Sequence, residues 1–313
     1  MKITALAGGV GGAKLVDGLA CCLPEDSLSV IVNTGDDFEY FGLSISPDLD
    51  TVCYTLAGMA NETTGWGRNE ETWNVLQEIK KIGGPTWFNI GDRDLATHLE
   101  RTRRLKEGQS LSEVTRILCE GWGIKQSVFP MSDSPVATLI NTREKGWLTF
   151  QEYFVKFQCL PTMIDYQFKN MDQARLPSKA RKALIDADWI IICPSNPFVS
   201  IEPIILVEDV LKILKQKRVL AVSPIVGGKA LKGPAAKMFE ESGIVPSAYE
   251  VLKRYQNILN IFVVENGDAL EIESQDHWNI IIKETDTIMK NRPGRIRLAN
   301  KILEMISQNG GNA

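Results

Sequence analysis

The sequence lacks several features that would each assign it to a class of protein. It has six cysteines but no CxxC pair, which favours buried free thiols over disulfides or a zinc site. No apolar run approaches the roughly 18 to 20 residues that cross a bilayer. With 35 basic and 39 acidic residues, the net charge of -4 offers no field to attract nucleic acid. We therefore expect a cytoplasmic protein without membrane or nucleic-acid partners.

What the sequence has is an alternation of apolar runs of strand length with segments of helical period. This order is typical of an α/β protein with a mainly parallel sheet. The first unit is a strand at 2–7, a glycine turn, a helix at 13–22 and a second strand at 28–32. Later predicted elements include a helix at 49–58, a helix capped by Ser110 and Glu113, strands at 189–193, 218–222, 261–264 and 279–283, and a helix at 204–214.

The regular order is interrupted between about 126 and 168, where short β-like runs alternate with an aromatic segment. This change predicts a separate lobe with its own small sheet. The predicted fold is Rossmann-like α/β, with helices on both faces of the sheet and an inserted α+β lobe. Residues 1–64 and 169–313 form the predicted core, and residues 65–168 form the predicted lobe.

A turn of glycine or polar residues follows each strong strand. The sequences are GGVGGAKL, NTGDD, PSNPF and SPIVGGKALKG, in chain order. In an open parallel sheet these turns meet at the carboxyl edge, where ligands bind at the topological switch point. We therefore expect the functional site at this edge.

The first turn, GGVGGAKL, lies between a strand and a helix, where backbone N–H groups and the helix dipole favour phosphate. It matches neither the dinucleotide fingerprint nor the P-loop, because Ala13, Lys14 and Leu15 stand where those motifs need other residues. The alternative is a close-packed turn without a ligand. The predicted phosphate-binding residues here are Gly9, Gly11, Gly12 and Lys14.

The second turn opens an acidic segment, NTGDDFEYFGLSISPDLDT. Asp48 is expected to be the N-cap of the helix beginning at residue 49. Carboxylates beside a phosphate site would repel the phosphate unless a cation lay between them. We therefore predict Mg²⁺ at Asp36 and Asp37, with the rest of the segment handling a substrate hydroxyl. The alternative is that Asp36 and Asp37 only form turns or caps.

Three other segments supply candidate ligands for a nucleotide. Arg93, between two aspartates, either binds an anionic or planar ligand or belongs to a surface ion-pair network. His98 is expected to be orienting or structural, and His277 to lie at the surface. The remaining candidates are Ser195 and Asn196 in the third turn, and Gly227, Gly228, Lys229 and Lys232 in the fourth.

Taken together, these motifs resemble the 2-phospho-L-lactate transferase family of deazaflavin coenzyme F-420 biosynthesis. The resemblance rests on GGVGGAKL, VNTGDDFEYFGLSISPDLDT, GDRDLATH, FQEYFV, CPSNPFVSIEPI and SPIVGGKALKGP, and it runs to about residue 244. It implies that the acceptor is 7,8-didemethyl-8-hydroxy-5-deazariboflavin. It further implies a guanosine diphosphate ester of lactate or phosphoenolpyruvate as donor, magnesium as cofactor, GMP as product and a homodimer.

The resemblance also implies roles for individual residues. Asp50 matches a position that contacts the deazaflavin side chain, so Asp50 and Asp37 are the predicted catalytic residues. Arg93 supplies a further contact, and Asn89 stands where some relatives have lysine. The guanosine site matches the glycine turn and the PSNP and GGK loops. The lobe is expected to bind the deazaflavin with one or two of Trp66, Trp73, Trp87, Trp122, Trp147, Tyr153 and Phe154.

Two other functions compete with this interpretation. A non-catalytic nucleotide-sugar-binding regulator of the related gluconeogenesis-factor family shares the glycine turn and an acidic loop. However, FEYFGLSISPDLDT departs from the glycine- and serine-rich continuation typical of that family. An oxidoreductase using a nicotinamide dinucleotide is suggested only by the Rossmann-like start, and Lys14 argues against it.

Overall fold

The computed structural model describes residues 1–231, 233–273 and 279–309, so Lys232 and His277 lie outside the described residues. The strands are β1 (Ile3–Ala7), β2 (Leu28–Val32), β3 (Phe38–Tyr40), β4 (Leu43–Ile45), β5 (Ser127–Pro130), β6 (Ala137–Thr142), β7 (Gly146–Thr149), β8 (Met163–Lys169), β9 (Trp189–Ile192), β10 (Val219–Val222), β11 (Ile225–Val226), β12 (Lys229–Ala230), β13 (Ile261–Val264) and β14 (Ile281–Glu284). The helices are α1 (Gly9–Cys22), α2 (Pro47–Leu56), α3 (Asn74–Lys81), α4 (Asp92–Lys106), α5 (Leu111–Gly121), α6 (Ser178–Asp186), α7 (Glu202–Leu206), α8 (Val210–Leu214), α9 (Ala235–Glu241), α10 (Ala248–Tyr255), α11 (Ala269–Glu273) and α12 (Arg292–Gln308). None of these described helices combines the length and apolarity that a membrane span needs.

The central element is a seven-stranded sheet in the order β14-β13-β10-β9-β1-β2-β5, and every pairing in it is parallel. The chain moves from β1 to β2 and β5 on one side, and then returns to β9 beside β1. The strand order therefore reverses between β1 and β9. In a doubly wound sheet this is the point where the turns diverge and leave a crevice for a ligand.

Apolar side chains cover both faces of the sheet, as a parallel sheet buried by helices requires. In β1, Ile3, Ala5 and Ala7 pack with α1, α2 and α12 on one face. Leu6 lies on the opposite face, in a cluster that includes Leu184 of α6 and Leu252 of α10. The prediction of a Rossmann-like α/β fold with helices on both faces is confirmed.

A second, antiparallel sheet in the order β7-β6-β8 is formed by residues of the predicted lobe. Its side chains Ile140, Leu148 and Met163 belong to the same apolar cluster as Leu6 of the main sheet. β5, which also falls within residues 65–168, forms the edge of the main sheet beside β2. The segment 65–168 therefore supplies both a small sheet of its own and one strand of the core.

Three predicted helices differ from the observed ones. The helix predicted at 13–22 begins instead at Gly9, so most of the predicted glycine turn is the first turn of α1. The helix at 204–214 is divided into α7 and α8, because Asp209 adopts a left-handed conformation with φ of 66°. The helix predicted to start at residue 49 begins instead at Pro47, with Ser46 at its N-cap. Proline suits the first helical position because the N–H group that proline lacks would have no hydrogen-bond partner inside the helix there. Asp48 is therefore not the N-cap, and it lies in the first turn.

Candidate functional site

The loops after β1 and β9 are joined directly at the switch point. The hydroxyl of Ser195 donates to the Gly8 carbonyl oxygen over 2.7 Å and accepts from the Gly8 N–H group at 3.1 Å. The next N–H group, of Gly9, donates to Oδ1 of Asp48 over 2.6 Å. A carboxylate from α2 therefore faces the N-terminus of α1, which has no acidic residue in its own first turn.

The glycines at the start of α1 allow this helix to lie close to the loop after β9. A Cβ on Gly11 would lie 2.2 Å from the carbonyl oxygen of Pro194, and a Cβ on Gly12 would lie 2.5 Å from the Ser195 hydroxyl oxygen. Gly9 has a φ of 60°, in the left-handed region that favours glycine. Packing between α1 and the β9 loop is therefore sufficient to explain Gly11 and Gly12. Their role in binding phosphate stays a prediction.

Asn33 holds two acidic side chains of the segment after β2. Its Nδ2 group donates to Oδ1 of Asp36 at 3.2 Å and to Oδ2 of Asp48 at 3.0 Å. Gln151, from the segment between β7 and β8, donates to the other oxygen of Asp36 at 3.0 Å. All four side chains are buried, and one amide of the core and one of the predicted lobe meet at Asp36.

Burial raises the pKa of three aspartates at this site. For Asp36 the pKa rises well above its usual range because the side chain is buried, and the charges of Asp48 and Asp37 raise it further. Burial likewise raises the pKa of Asp37 far above its ordinary value. The pKa of Asp48 is raised by burial to about 6, although its hydrogen bonds from Asn33 and Gly9 lower it. The cluster therefore disfavours its own negative charge.

In the part of the chain that the structure describes, Asp37 has one carboxylate oxygen that accepts a hydrogen bond and one that does not. Its Oδ2 accepts a hydrogen bond from the Ser46 hydroxyl over 2.7 Å, whereas its buried Oδ1 has no hydrogen-bond partner within the described residues. A buried oxygen without a donor is costly, and a bound cation would satisfy it. Carboxylate oxygens are also the ligands that Mg²⁺ prefers. Asp37 Oδ1 could therefore accept a cation, whereas both oxygens of Asp36 already accept hydrogen bonds from Asn33 and Gln151. Magnesium at these two residues stays a prediction.

Asp50 lies two residues after Asp48 on α2 and forms a buried ion pair with Arg101 of α4. Both terminal guanidinium nitrogens contact the Asp50 carboxylate, one of them at 3.0 Å. Nδ1 of His98 lies 3.7 Å from the same carboxylate, and Nε2 lies 3.3 Å from Asp94. The hydroxyl of Tyr54 donates to Asp94 over 2.7 Å.

Asp50, Asp94 and His98 are close enough to share a metal ion. Arg101 already places a positive charge between them, because its Nη1 lies 3.0 Å from Asp50 and 3.3 Å from Nδ1 of His98. The charge of Asp50 raises the pKa of Arg101, outweighing the opposing effect of burial. This group is therefore a charge-paired network around a guanidinium.

Other predicted nucleotide ligands have partners elsewhere along the carboxyl edge. Nζ of Lys14 donates to the carbonyl oxygen of Met289 over 2.9 Å. Oδ1 of Asn196 accepts from the Phe198 N–H group at 2.9 Å and caps the following helical turn. The Gly227 N–H group faces the Asp268 carboxylate at 3.2 Å, and Gly228 and the exposed Lys229 follow in the β11–β12 hairpin.

The two predicted deazaflavin contacts Asn89 and Arg93 lie beside a small cavity and beside an acidic segment, respectively. Asn89 lines the cavity together with Trp66, Trp73 and Asp94. The Arg93 guanidinium is about half exposed and pairs with Glu70 at 3.0 Å. Two of the tryptophans expected to bind a ring therefore line one cavity, which reaches the Asp50 network through Asp94.

Sequence reasoning missed four residues of the site: Asn33, Asp48 in its observed role, Gln151 and Arg101. Asn33 stands directly after the second strand, so its position at the carboxyl edge was a usable signal. Arg101 lies seven residues after Asp94 and three after His98, a spacing that places all three on one face of a helix.

Fold and site together define a Rossmann-like α/β protein with a buried acidic cluster at the switch point of its sheet. A solved structure of a UPF0052 family member from Bacillus halodurans has a similar fold, with a TM-score of 0.59 at 13% identity over 96% of this chain and 98% of that one.

Sequence comparison identifies the family. The family model described as 2-phospho-L-lactate transferase CofD matches residues 3–297. The chain is 38% identical to the 2-phospho-L-lactate transferase of Methanocaldococcus jannaschii, over 96% of this chain and 97% of that protein. It is 37% identical to the phosphoenolpyruvate transferase of Kitasatospora aureofaciens, over 98% of both. The chain belongs to the 2-phospho-L-lactate transferase CofD family, which confirms the resemblance noted in its motifs.

Proposed function

We propose that this protein is a phosphotransferase of coenzyme F-420 biosynthesis. It transfers a 2-phospho-L-lactyl or phosphoenolpyruvyl group from a guanosine diphosphate ester to the ribityl hydroxyl of 7,8-didemethyl-8-hydroxy-5-deazariboflavin, and it releases GMP. The observation that carries the proposal is the buried acidic cluster of Asp36, Asp37 and Asp48 at the switch point, where Asp48 accepts a hydrogen bond from the N-terminus of α1. Membership of a family whose relatives are named as these transferases supports it.

The chemistry proposed is an in-line displacement at phosphorus. The ribityl hydroxyl oxygen forms a bond to the phosphorus that carries the lactyl or enolpyruvyl group, and the bond from that phosphorus to the bridging oxygen breaks. GMP leaves with the bridging oxygen, and Asp50 orients the hydroxyl and accepts its proton. Positioning and neutralisation of charge supply most of the rate enhancement in such transfers.

Asp36 and Asp37 hold Mg²⁺ in this proposal. The ion supplies positive charge to the diphosphate, which the surrounding carboxylates would otherwise repel. The unpartnered Oδ1 of Asp37 supports a cation here, because a bound ion would satisfy this buried oxygen. The pKa of Asp36 is raised by burial and by the charges of Asp48 and Asp37, and a cation would offset these charges. Ser195 and the glycine turn hold the guanosine-bearing end at the switch point.

The acceptor is proposed to enter from the predicted lobe. Trp66 and Trp73 offer aromatic surface to a ring system, and Asp94 connects their cavity with the Asp50 network. The cavity has a volume of about 20 Å³, so it has to widen to admit the ring. The ribityl chain then has to extend from this cavity toward Asp50. Quenching of tryptophan fluorescence by the deazaflavin, reduced in a Trp73→Leu variant, is the expected binding signal.

The test of the function is mass spectrometry of the product. Purified protein is incubated with the deazaflavin, Mg²⁺ and each of the two guanosine diphosphate esters. Formation of the phosphodiester product with an equal amount of GMP is the expected result. If neither ester gives product and the protein binds a UDP-sugar tightly, the transferase is rejected in favour of a nucleotide-sugar-binding regulator. If neither ester gives product and the protein binds NAD(H) tightly, it is rejected in favour of an oxidoreductase.

A further inference from the structure

Helix α4 buries a polar face where most helices of a soluble protein bury apolar side chains. Its fully buried residues are Asp94, Thr97, His98, Arg101 and Thr102. Buried charges are costly unless each one is paired and hydrogen-bonded. Here Asp94, His98 and Arg101 stand at helical positions i, i+4 and i+7, so their side chains project from the same face.

This polar face is directed at α2 and the strand before it. Arg101 donates through both terminal nitrogens to the two oxygens of Asp50, and Nη1 also contacts the Ser44 carbonyl oxygen at 3.4 Å. Thr102 accepts a hydrogen bond from the Ser44 N–H group at 2.8 Å. The Asp50 carboxylate is thereby held by an element of the segment 65–168.

The second partner of Asp50 is held in turn. His98 lies between two carboxylates, with Nδ1 3.7 Å from Asp50 and Nε2 3.3 Å from Asp94. Asp94 accepts from the Tyr54 hydroxyl at 2.7 Å, and Tyr54 lies on α2, as Asp50 does. These contacts therefore join α2 to α4 at two places, Asp50 to Arg101 and Tyr54 to Asp94, and any other orientation of the Asp50 carboxylate would break its pair with Arg101.

The pair with Arg101 leaves part of the hydrogen-bonding capacity of the Asp50 carboxylate unused. A carboxylate offers about four lone-pair sites, and the two bonds from Arg101 use one on each oxygen. A bidentate guanidinium also fixes the plane of the carboxylate, which a single ammonium group cannot do. The remaining lone pairs of Asp50 therefore have a defined direction.

We propose that Arg101 and His98 are positioning residues that set the orientation of Asp50 for the transfer reaction. They act through Asp50 and do not contact the reacting atoms. This inference rests on the proposed function, in which Asp50 orients the acceptor hydroxyl. Arg101 fixes the plane of the carboxylate, and His98 holds the guanidinium in place, with its Nδ1 3.3 Å from Nη1 of Arg101.

The test is a double-mutant cycle on turnover. The variants are Arg101→Lys, Asp50→Asn and the double variant, and the measured quantities are kcat and the KM for each substrate. Arg101→Lys keeps the positive charge but loses the bidentate hydrogen bonds to Asp50. We therefore expect kcat to fall on the order of 10²-fold while the KM for the guanosine ester stays unchanged. In the Asp50→Asn background the same substitution is expected to have no further effect, because the carboxylate it orients is gone.

Arg104→Lys is the matched control. Arg104 lies one turn along α4 from Glu100, pairs with it and does not contact Asp50. It is expected to keep the kcat of the unmodified protein. Thermal unfolding of each variant checks that the fold is retained. If Arg101→Lys is unfolded at the assay temperature, His98→Gln takes its place in the same cycle.

The outcomes separate this inference from the proposed function. Strong non-additivity between positions 101 and 50, with Arg104→Lys unaffected, supports the positioning role. Independent effects at positions 101 and 50, or an equal loss in Arg104→Lys, overturn it while the transfer activity of the unmodified protein stands. An unmodified protein inactive with both guanosine esters overturns the proposed function and this inference together.

Discussion

Replacing Asp48 by Asn should change how the stability of the ligand-free protein depends on pH. Burial raises the pKa of Asp48 from 3.8 to about 6. Between about pH 4 and pH 6 the folded protein therefore keeps a proton that the unfolded chain has lost. Stability is highest below the unfolded pKa and falls as pH rises through the folded pKa.

The size of this effect follows from the shift. A rise of about two units corresponds to about 3 kcal/mol of unfolding free energy, lost between roughly pH 4 and pH 7. Asp36 and Asp37 shift in the same direction, so the unmodified protein should lose more than Asp48 alone accounts for. Asp48→Asn removes one titrating group and also lowers the charge that Asp36 faces. The variant should therefore lose on the order of 3 kcal/mol less unfolding free energy than the unmodified protein on going from pH 4 to pH 7.

The assay is urea denaturation at intervals from pH 4 to pH 8 with a chelator present. Asn at position 48 also loses hydrogen bonds that the carboxylate accepts, which lowers the stability at every pH. The readout is therefore how the unfolding free energy changes with pH, and not its absolute value. Asp26→Asn, at an exposed position, controls for a general effect of net charge. Identical pH profiles for Asp48→Asn and the unmodified protein would refute the assignment of a destabilising buried charge to this site.

Three further predictions concern the same edge of the sheet. Asp50→Asn should lower kcat by about 10² to 10⁴, as expected for a positioned acid or base, and near-normal turnover would remove Asp50 from the mechanism. Addition of Mg²⁺ at pH 8 should raise the midpoint of thermal unfolding of the unmodified protein but not of Asp37→Asn; an equal rise in both would argue against Asp37 as a ligand. Gly11→Ala should cost about 1 to 3 kcal/mol in denaturation experiments, because its Cβ would meet the Pro194 carbonyl oxygen at 2.2 Å. Gly121→Ala, on a helix with no atom within 4 Å of the added Cβ, should stabilise the protein by about 0.5 to 1 kcal/mol; the reverse order would contradict the close-packing account of the glycine turn.

The parts of the fold that could be predicted are those encoded locally. The capping box of Ser110 and Glu113 is observed at the start of α5, and the strand predicted at 261–264 is observed as β13. Both depend on residues next to each other in the chain. The break at Asp209 could not be predicted, because its left-handed backbone conformation has no clear local signal.

The site shows the same division between local and distant contacts. That the turns after β1, β2 and β9 would meet followed from the parallel sheet alone. The parallel sheet alone does not predict which side chains contact each other. Asp48 contacts Gly9, 39 positions away in the sequence, and Arg101 contacts Asp50, 51 positions away. Those contacts depend on how α2 and α4 pack on the sheet, which periodicity does not specify. Asp48 was consequently interpreted as a local cap.

The most direct test of the account is a crystal structure of the protein with GMP and Mn²⁺, using anomalous scattering to locate the ion. The account predicts the nucleotide phosphate at the switch point between the turns after β1 and β9. It also predicts an anomalous peak at coordination distance from Asp36 and Asp37. A nucleotide bound away from that edge, or an ion that avoids both carboxylates, would contradict it.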